Sequence, residues 1–266
     1  MIDSSIDATA QLQQIDRMVA DVEAMLPHGA SSRDKLDALR RYVYEPGPWN
    51  GGRAFSYDHS DPFGQDLQNK LLADYLQDRQ GNCITMPFLF VILGQRLGLD
   101  VVPALAPLHV LVKFTDDDGR TWNLETTSGA GFARDQHYRD QLPITDAAIA
   151  NGIYLAPLNR RETMAAMAVL VVEHLIDQGR YEEAMDVAHV LLSQNPRFVY
   201  AMIKKGTAAY YLMRDEYQSR YATFEDVPVE KRGRLRRLLE LNAAAFERAE
   251  ALGWRQMDLP ELGPRR

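Results

Sequence analysis

The stretch GNCITMPFLFVILGQRLG, residues 81–98, decides how the first half of the chain folds. It opens with a short polar turn sequence and continues as a run that is apolar on nearly every side until Gly98. A helix that is apolar all round belongs in the interior of a protein. The sequence therefore predicts a central helix with Thr85 as its cap and Pro87 in its first turn, where proline is tolerated.

The residues after this helix change from a helical to a β-like pattern. Three short runs, at 100–106, 109–114 and 121–127, have the residue types and alternation typical of strands. Before the central helix, residues 9–26 and 34–44 carry apolar side chains at helical spacing. We therefore predict an α+β fold in which the apolar helix packs on a small antiparallel sheet.

The second half of the chain has a different pattern, because every segment from Glu162 onward is predicted to be helical. The spacing of the second half of a tetratricopeptide repeat, a unit of about 34 residues, is found at Gly179, Tyr181, Ala184, Ala188, Leu191 and Pro196. We predict two regions: residues 1–157, the α+β region with its N-terminal helices, and residues 158–266, a helical region with one clear repeat unit and one weak unit. Residues 128–157 would form the connection.

The composition excludes several classes of protein. The chain has 266 residues, of which 46% are hydrophobic and 25% charged, as in an ordinary globular protein. Its 37 acidic and 30 basic residues give a net charge of −7, which argues against a nucleic-acid partner or an anionic membrane surface. The single cysteine excludes an intrachain disulfide and is typical of a reducing compartment. With no secretory signal pattern and no apolar run long enough to span a bilayer, we expect a cytoplasmic protein.

Cys83 is the first candidate for chemistry. The polar tripeptide Gln80-Gly81-Asn82 precedes it, so we expect it at the mouth of the central helix, where backbone N–H groups and the helix dipole stabilise a thiolate. The alternative is that Cys83 is a small buried apolar residue. For a nucleophile, its own N–H and a donor from Gln80 or Asn82 are candidates for binding an oxyanion. The interpretation we favour for those two side chains is turn residue and helix cap.

His109 is the histidine best placed to act as the base for Cys83. A thiol nucleophile needs a base within hydrogen-bonding distance, and the base needs a partner that orients it. His109 opens the β-like run downstream of the central helix and shares a strand face with Leu111. The alternative is a histidine with a purely structural role.

The hairpin turn Asp117-Asp118-Gly119 decides which acid can reach His109. With a three-residue loop, Leu111 lies opposite Glu125, and Glu125 becomes a diagonal neighbour of His109 within reach of a long side chain. Asn123 lies on the same face, one pair further away, and a two-residue loop would turn both side chains to the other face. We therefore predict that Glu125 rather than Asn123 orients the imidazole, with a solvent-exposed acid as the alternative.

Other motifs carry less weight. Residues 58–61, Asp-His-Ser-Asp, lack the spacing of a metal site and are interpreted as a turn. Residues 128–131 lack the lysine and hydroxyl of a phosphate-binding loop. The basic run at 231–237 is interpreted as a solvated helix face, with docking of an acidic partner as the alternative. We expect neither a metal nor a cofactor, and we expect Asn123 and Tyr138 at the border of the site.

Together these residues resemble the transglutaminase-like superfamily, which has a papain-like α+β fold. The resemblance covers about residues 35–215 and is carried by Gly81-Asn82-Cys83, by Pro107-Leu108-His109-Val110-Leu111-Val112 and by Asn123-Leu124-Glu125. More narrowly, the chain is similar to a bacterial branch first labelled as an invasion regulator, in which such a domain precedes tetratricopeptide-type helices. The resemblance implies Cys83 as nucleophile, His109 as base and Glu125 as the orienting acid, although aspartate is usual in the third place.

The resemblance implies an enzyme of the acyl-transfer class: a peptidase, an amidase or a transglutaminase-like transferase that acts on a protein or peptide amide. In such a reaction the thiolate attacks the carbonyl, the imidazolium protonates the leaving amine, and water or a second amine resolves the thioester. The alternative is a catalytically silent interaction module whose repeat helices recruit a partner protein. The surroundings of Cys83 distinguish the two, because only the enzyme needs an ionised and accessible thiol.

Overall fold

The structure is a computed structural model that describes residues 2–61 and 64–257. These residues form ten α-helices and six β-strands. The helices are α1 (Ala8–Glu23), α2 (Ser32–Tyr44), α3 (Leu72–Asp78), α4 (Thr85–Arg96), α5 (Asp135–Gln141), α6 (Asp146–Ala150), α7 (Arg160–Asp177), α8 (Tyr181–Gln194), α9 (Val199–Met213) and α10 (Val229–Ala251). The strands are β1 (Ser56–Tyr57), β2 (Gln80–Gly81), β3 (Asp100–Ala106), β4 (His109–Thr115), β5 (Thr121–Glu125) and β6 (Gly131–Ala133). An α+β region followed by an all-helical region confirms the predicted fold class.

The apolar helix α4 is central, as its sequence predicts. Its side chains are buried on all sides from Thr85 to Val91, and it approaches β3 so closely that a Cβ atom at Gly94 would lie 2.7 Å from Val101 Cγ2. The helix begins one residue earlier than predicted, with Ile84 as its cap. The reason is that the Asn82 side chain accepts hydrogen bonds from two successive N–H groups and turns the chain into the helix there.

The antiparallel sheet has the strand order β3-β4-β5-β6. Val112 pairs with Leu124, and the Asp116 N–H donates to the Arg120 carbonyl at 2.9 Å, so the three-residue hairpin loop and its register are confirmed. One face of the sheet packs on the core around α4. The other face, which carries Leu111, packs on a core shared with the helical region.

The segment predicted as a connection, residues 128–157, also contributes to the first region. Its residues form β6 and the helices α5 and α6, and the Leu155 N–H donates to the Leu105 carbonyl of β3 at 2.8 Å. Gly129 has a φ of +81°, a left-handed conformation that lets the chain return beside β5. The sequence pattern missed β6 because a three-residue strand that contains glycine is too short to show alternation.

The helices α7 to α10 pack directly against the α+β region. Phe88 of α4 lies in a core with Val172 of α7 and Ala201 of α9, and Ala249 of α10 lies in a core with Ala104 of β3. No helix in the described part of the chain is long and apolar enough to span a membrane. Residues 258–266, the end of the predicted repeat region, lie outside the described residues.

The basic run 231–237 lies on α10. The Arg234 guanidinium forms ion pairs with Glu182 of α8 at 2.7 Å and with Glu216 at 3.0 Å, and Arg232 donates to the Val227 carbonyl at 2.8 Å. Two of its arginines therefore hold neighbouring segments of the helical region together.

Candidate active site

Cys83 lies between the short strand β2 and the helix α4. Strand β2 is held by parallel pairing with β1, where Tyr57 lies beside Gly81. A Cβ atom at Gly81 would lie 2.5 Å from the Tyr75 ring, so only glycine allows this close packing. Cys83 itself is partly buried, and its Sγ lies 3.5 Å from the carbonyl oxygen of Leu108. The thiol is therefore held in place by the fold and stays within reach of solvent.

The Asn82 side chain has the capping role that we favoured for it. Its Oδ1 accepts from the N–H groups of Ile84 at 2.9 Å and Thr85 at 3.2 Å, and its Nδ2 donates to the Asn69 carbonyl at 2.9 Å. The side-chain amide is therefore already engaged. In contrast, the Cys83 N–H forms no hydrogen bond with any other described residue, which leaves it available to an oxyanion.

Gln80 is exposed beside the same loop. Its backbone N–H donates to the Asp78 carboxylate at 2.8 Å, while its side-chain amide makes no hydrogen bond within the described part of the chain. Of the two candidate side chains for an oxyanion, Gln80 is thus the one with a free amide.

His109 follows a two-residue turn, Pro107-Leu108, between β3 and β4. Leu108 has a φ of +52°, a region that leucine rarely adopts, and its side chain is 46% exposed. The imidazole Nε2 lies 2.9 Å from Glu125 Oε2, and the Cys83 thiol, whose Sγ contacts the carbonyl oxygen of the preceding residue Leu108, also acts on the imidazole. The structure thus brings the three predicted residues, Cys83, His109 and Glu125, together at one site.

Glu125 is surrounded by hydrogen-bond donors. Its Oε1 accepts from the N–H of Thr127 at 3.0 Å and from the hydroxyl of the same residue, and its Oε2 accepts from the Tyr138 hydroxyl at 3.0 Å. Burial alone would raise the pKa of Glu125, but hydrogen bonds to His109 and Thr127 and the charge of the imidazolium outweigh it and lower the pKa to about 2. The carboxylate therefore stays ionised at neutral pH.

The imidazole is correspondingly basic. Burial alone would lower the pKa of His109, but hydrogen bonds to Cys83 and Glu125, together with their negative charge, raise the pKa to about 9. At neutral pH His109 is therefore an imidazolium that faces both the Glu125 carboxylate and the Cys83 thiol.

The two residues predicted at the border of the site have different positions. Tyr138 of α5 is buried and donates to Glu125, and its ring centroid lies 6.0 Å from that of His109. Asn123 points to α5 instead, where its Nδ2 donates to Asp135 Oδ1 at 2.6 Å. Asn123 therefore holds the helix that carries Tyr138 and does not touch the imidazole.

The charge at Cys83 influences the pKa values of two further tyrosines, which no sequence pattern had indicated. Burial and then the charge of Cys83 raise the pKa of Tyr57 on β1. Burial, Glu173 and then Cys83 raise the pKa of Tyr200 on α9 well above its usual value. Because these residues come from distant parts of the chain, no local pattern links them to Cys83.

Residues 58–61 form the turn that the sequence predicts. The Asp58 carboxylate accepts from the N–H of Ser60 at 2.8 Å and from its hydroxyl. Within residues 2–61 and 64–257, no group of three or more His, Cys, Asp or Glu side chains is arranged to hold a metal ion.

Comparisons with known proteins agree with the fold. The sequence model of the transglutaminase-like superfamily matches residues 9–168, well over half of the chain. The chain is also 24% identical over 176 residues to a protein of Buchnera aphidicola subsp. Schizaphis graminum (strain Sg) described as a UPF0162 protein. That match covers 65% of this chain and 61% of the relative's length. No solved structure matches the chain.

Proposed function

The chain belongs to the transglutaminase-like superfamily, and from this premise we propose that it is an acyl-transfer enzyme that acts on a protein or peptide amide with Cys83 as its nucleophile. Members of this superfamily are generally cysteine-based enzymes. The observation that carries the proposal is the imidazole of His109, whose Nε2 lies 2.9 Å from Glu125 Oε2 and whose pKa the neighbouring Cys83 helps to raise. A purely structural histidine needs no such combination of a buried carboxylate and a thiol as partners.

The reaction follows from these contacts. The Cys83 thiolate forms a C–S bond to the amide carbonyl, and the carbonyl electron pair moves to the oxygen. The free Cys83 N–H donates to that oxyanion, and the Gln80 amide is the second candidate donor. The imidazolium of His109 gives its proton to the leaving amine as the C–N bond breaks, and a thioester remains on Cys83.

The second half of the reaction regenerates the enzyme. Neutral His109 takes a proton from water or from a second amine as that nucleophile attacks the thioester. The C–S bond then breaks, the acyl group leaves as an acid or a new amide, and the thiolate and imidazolium are restored. Glu125 keeps its charge throughout and holds Nε2, which directs the other ring nitrogen towards Cys83.

The organisation of the chain fits this proposal. We assign residues 1–157 as the catalytic region and residues 158–266 as a tetratricopeptide-like region that would bind the protein or peptide. Burial of Ala184, Ala188 and Leu191 on α8 supports the predicted repeat spacing. A thiol nucleophile must also stay reduced, which supports a cytoplasmic location.

The test is the alkylation rate of Cys83 by iodoacetamide as a function of pH, in the wild type and in His109→Ala. The chain has a single cysteine, so mass spectrometry of the intact protein measures this one site. We expect rapid alkylation of the wild type even at mildly acidic pH, where a free thiol with a pKa of about 8.5 is mostly protonated. In His109→Ala, alkylation should become appreciable only at alkaline pH.

A different result would favour the second interpretation. If Cys83 reacts only when the protein is unfolded, it is a packing residue, and the chain acts as an interaction module through its helices. If both proteins follow the same alkaline profile, His109 does not activate the thiol and the proposed reaction is wrong.

A further inference from the structure

A buried carboxylate joins the helical region to the segment before the nucleophile. Glu173 of α7 is only 6% exposed, and its Oε2 lies 2.8 Å from Lys70 Nζ. Its Oε1 lies 3.2 Å from Lys204 Nζ of α9 and accepts from the Tyr200 hydroxyl. Glu173, Tyr200 and Lys204 all lie beyond residue 168, where the superfamily match ends.

The charge of Glu173 is fully compensated. Burial alone would raise its pKa, but Lys204 and then Lys70 outweigh that effect and hold the pKa below its usual value. A buried carboxylate is tolerated only when charged and polar groups surround it. Here one lysine comes from the same helical bundle, and the other comes from the α+β region.

Lys70 connects this carboxylate to the loop of Cys83. It is the last residue of a 3₁₀ turn, Gln68–Lys70, and the carbonyl of the residue before it, Asn69, accepts from Asn82 Nδ2 at 2.9 Å. The other end of the Asn82 side chain caps α4 immediately after Cys83. One ion pair, from Glu173 to Lys70, and one hydrogen bond, from Asn82 to the Asn69 carbonyl, therefore link Glu173 to the residue that precedes the nucleophile.

From this chain of contacts we propose that Glu173 is a positioning residue for Cys83, and that the helical region is therefore a working part of the active site. The ion pair with Lys70 holds the Gln68–Lys70 turn, which in turn fixes Asn82 and the direction of the thiol towards His109. This inference rests on the proposed function, since it assigns a role only if Cys83 is the nucleophile. The Tyr200 hydroxyl, which donates to Glu173 from α9, further fixes the position of this carboxylate.

The two lysines provide a matched pair of variants. Lys70→Met and Lys204→Met each remove one cation from Glu173 and leave the other ion pair in place. Only Lys70 is connected to Asn69 and the nucleophile loop. We expect Lys70→Met to lower the alkylation rate of Cys83 at neutral pH by about fivefold or more, because small displacements of reacting groups cost up to about 100-fold. Lys204→Met should stay within about twofold of the wild type.

Glu173→Gln tests the carboxylate itself, with Glu162→Gln as its control. Glu162 lies on the same helix, is 8% exposed, and pairs with Arg197 at 3.3 Å, away from the nucleophile loop. We expect Glu173→Gln to reduce the alkylation rate at mildly acidic pH more than at alkaline pH. At alkaline pH a thiolate forms without help from His109. Glu162→Gln should keep the wild-type pH profile, even if thermal unfolding shows an equal loss of stability.

Each outcome has a clear meaning. Equal effects of Lys70→Met and Lys204→Met, or a wild-type pH profile in Glu173→Gln, would overturn the positioning role, while His109→Ala would still test the reaction. If His109→Ala also keeps the wild-type profile, the proposed function fails. If Glu173→Gln does not fold, the two lysine variants decide the question, since each retains one ion pair.

Discussion

The active site around Glu125 and the interface around Glu173 are built from the same parts. Each has a largely buried carboxylate, a cation within 2.9 Å of it, and a tyrosine hydroxyl that donates to it. The difference is the cation. The partner of Glu125 is an imidazole with a pKa of about 9, a group that exchanges its proton in ordinary acid–base catalysis, whereas the partners of Glu173 are lysine ammonium groups. Similar surroundings of a carboxylate can therefore serve proton transfer, as at Glu125, or hold two segments together, as at Glu173, and the chemistry of the cation decides which.

The largest expected effect comes from removing the charge of Glu125. In Glu125→Gln the amide can still accept from His109 Nε2, but the imidazolium loses its anionic partner. We expect the alkylation rate of Cys83 at mildly acidic pH to fall by up to about 100-fold, because each unit of pKa is worth a factor of about 10. Glu162→Gln, which removes another nearly buried carboxylate that pairs with Arg197 at 3.3 Å, is the control and should react like the wild type. Equal rates in the wild type and Glu125→Gln would show that Glu125 does not act on Cys83 through His109. The active site around Glu125 would then not differ from the interface around Glu173 in proton transfer.

The next effect is on stability as a function of pH. The pKa of His109 is raised from 6.5 to about 9 in the folded protein. Its contribution to the free energy of unfolding is therefore complete below about pH 6.5 and is lost as the pH rises through about 9. We expect the wild type to lose about 3 kcal/mol of its free energy of unfolding relative to His109→Gln across this window, measured by urea unfolding.

The interface around Glu173, with Lys70 and Lys204, should show no such dependence of stability on pH. The pKa of Glu173 lies below its usual value, so the carboxylate stays ionised throughout this window, and Glu173→Gln should lower the free energy of unfolding by the same amount at every pH between neutral and mildly alkaline values. If the loss of unfolding free energy in Glu173→Gln depends on pH in the same way as that in His109→Gln, the active site around Glu125 and the interface around Glu173 do not differ in this respect.

The smallest effect comes from the two tyrosines. Tyr138→Phe and Tyr200→Phe each remove one hydroxyl that donates to a buried carboxylate. Each should cost about 1–2 kcal/mol of stability, as expected for a hydrogen bond to a charged group. Only Tyr138→Phe should also lower the alkylation rate of Cys83 at mildly acidic pH, by about threefold, because it weakens the carboxylate that holds His109. If Tyr138→Phe and Tyr200→Phe have the same pH profile of Cys83 alkylation, the Tyr138 hydroxyl has no special effect on the reactivity of Cys83.

Local rules account for what the sequence analysis predicted. The apolar run of α4 and the three-residue turn after Asp116 depend only on nearby residues, and together they fix the strand register that brings Glu125 beside His109. A register shift of one residue would have turned the acid to the other face, so this prediction was sensitive to a single loop length.

The parts that the sequence analysis missed depend on contacts between distant segments. Glu173 of α7 reaches Lys70 across 103 positions of the chain, and Tyr200 of α9 donates to the same carboxylate. No periodicity or turn signal records such pairs, because they arise only when the elements pack. The one available signal for Glu173 was its position directly after the apolar run at residues 164–172 of α7.

Leu108 has a consequence for the design of covalent inhibitors. Its carbonyl oxygen touches the Cys83 thiol, yet its apolar side chain stays 46% exposed on a backbone turned into the left-handed region. An electrophile that carries a small aliphatic group next to its reactive carbon would gain contact area from this side chain that a purely polar reagent would not. A panel of chloroacetamides graded by the size of that group would therefore favour the aliphatic members at this cysteine.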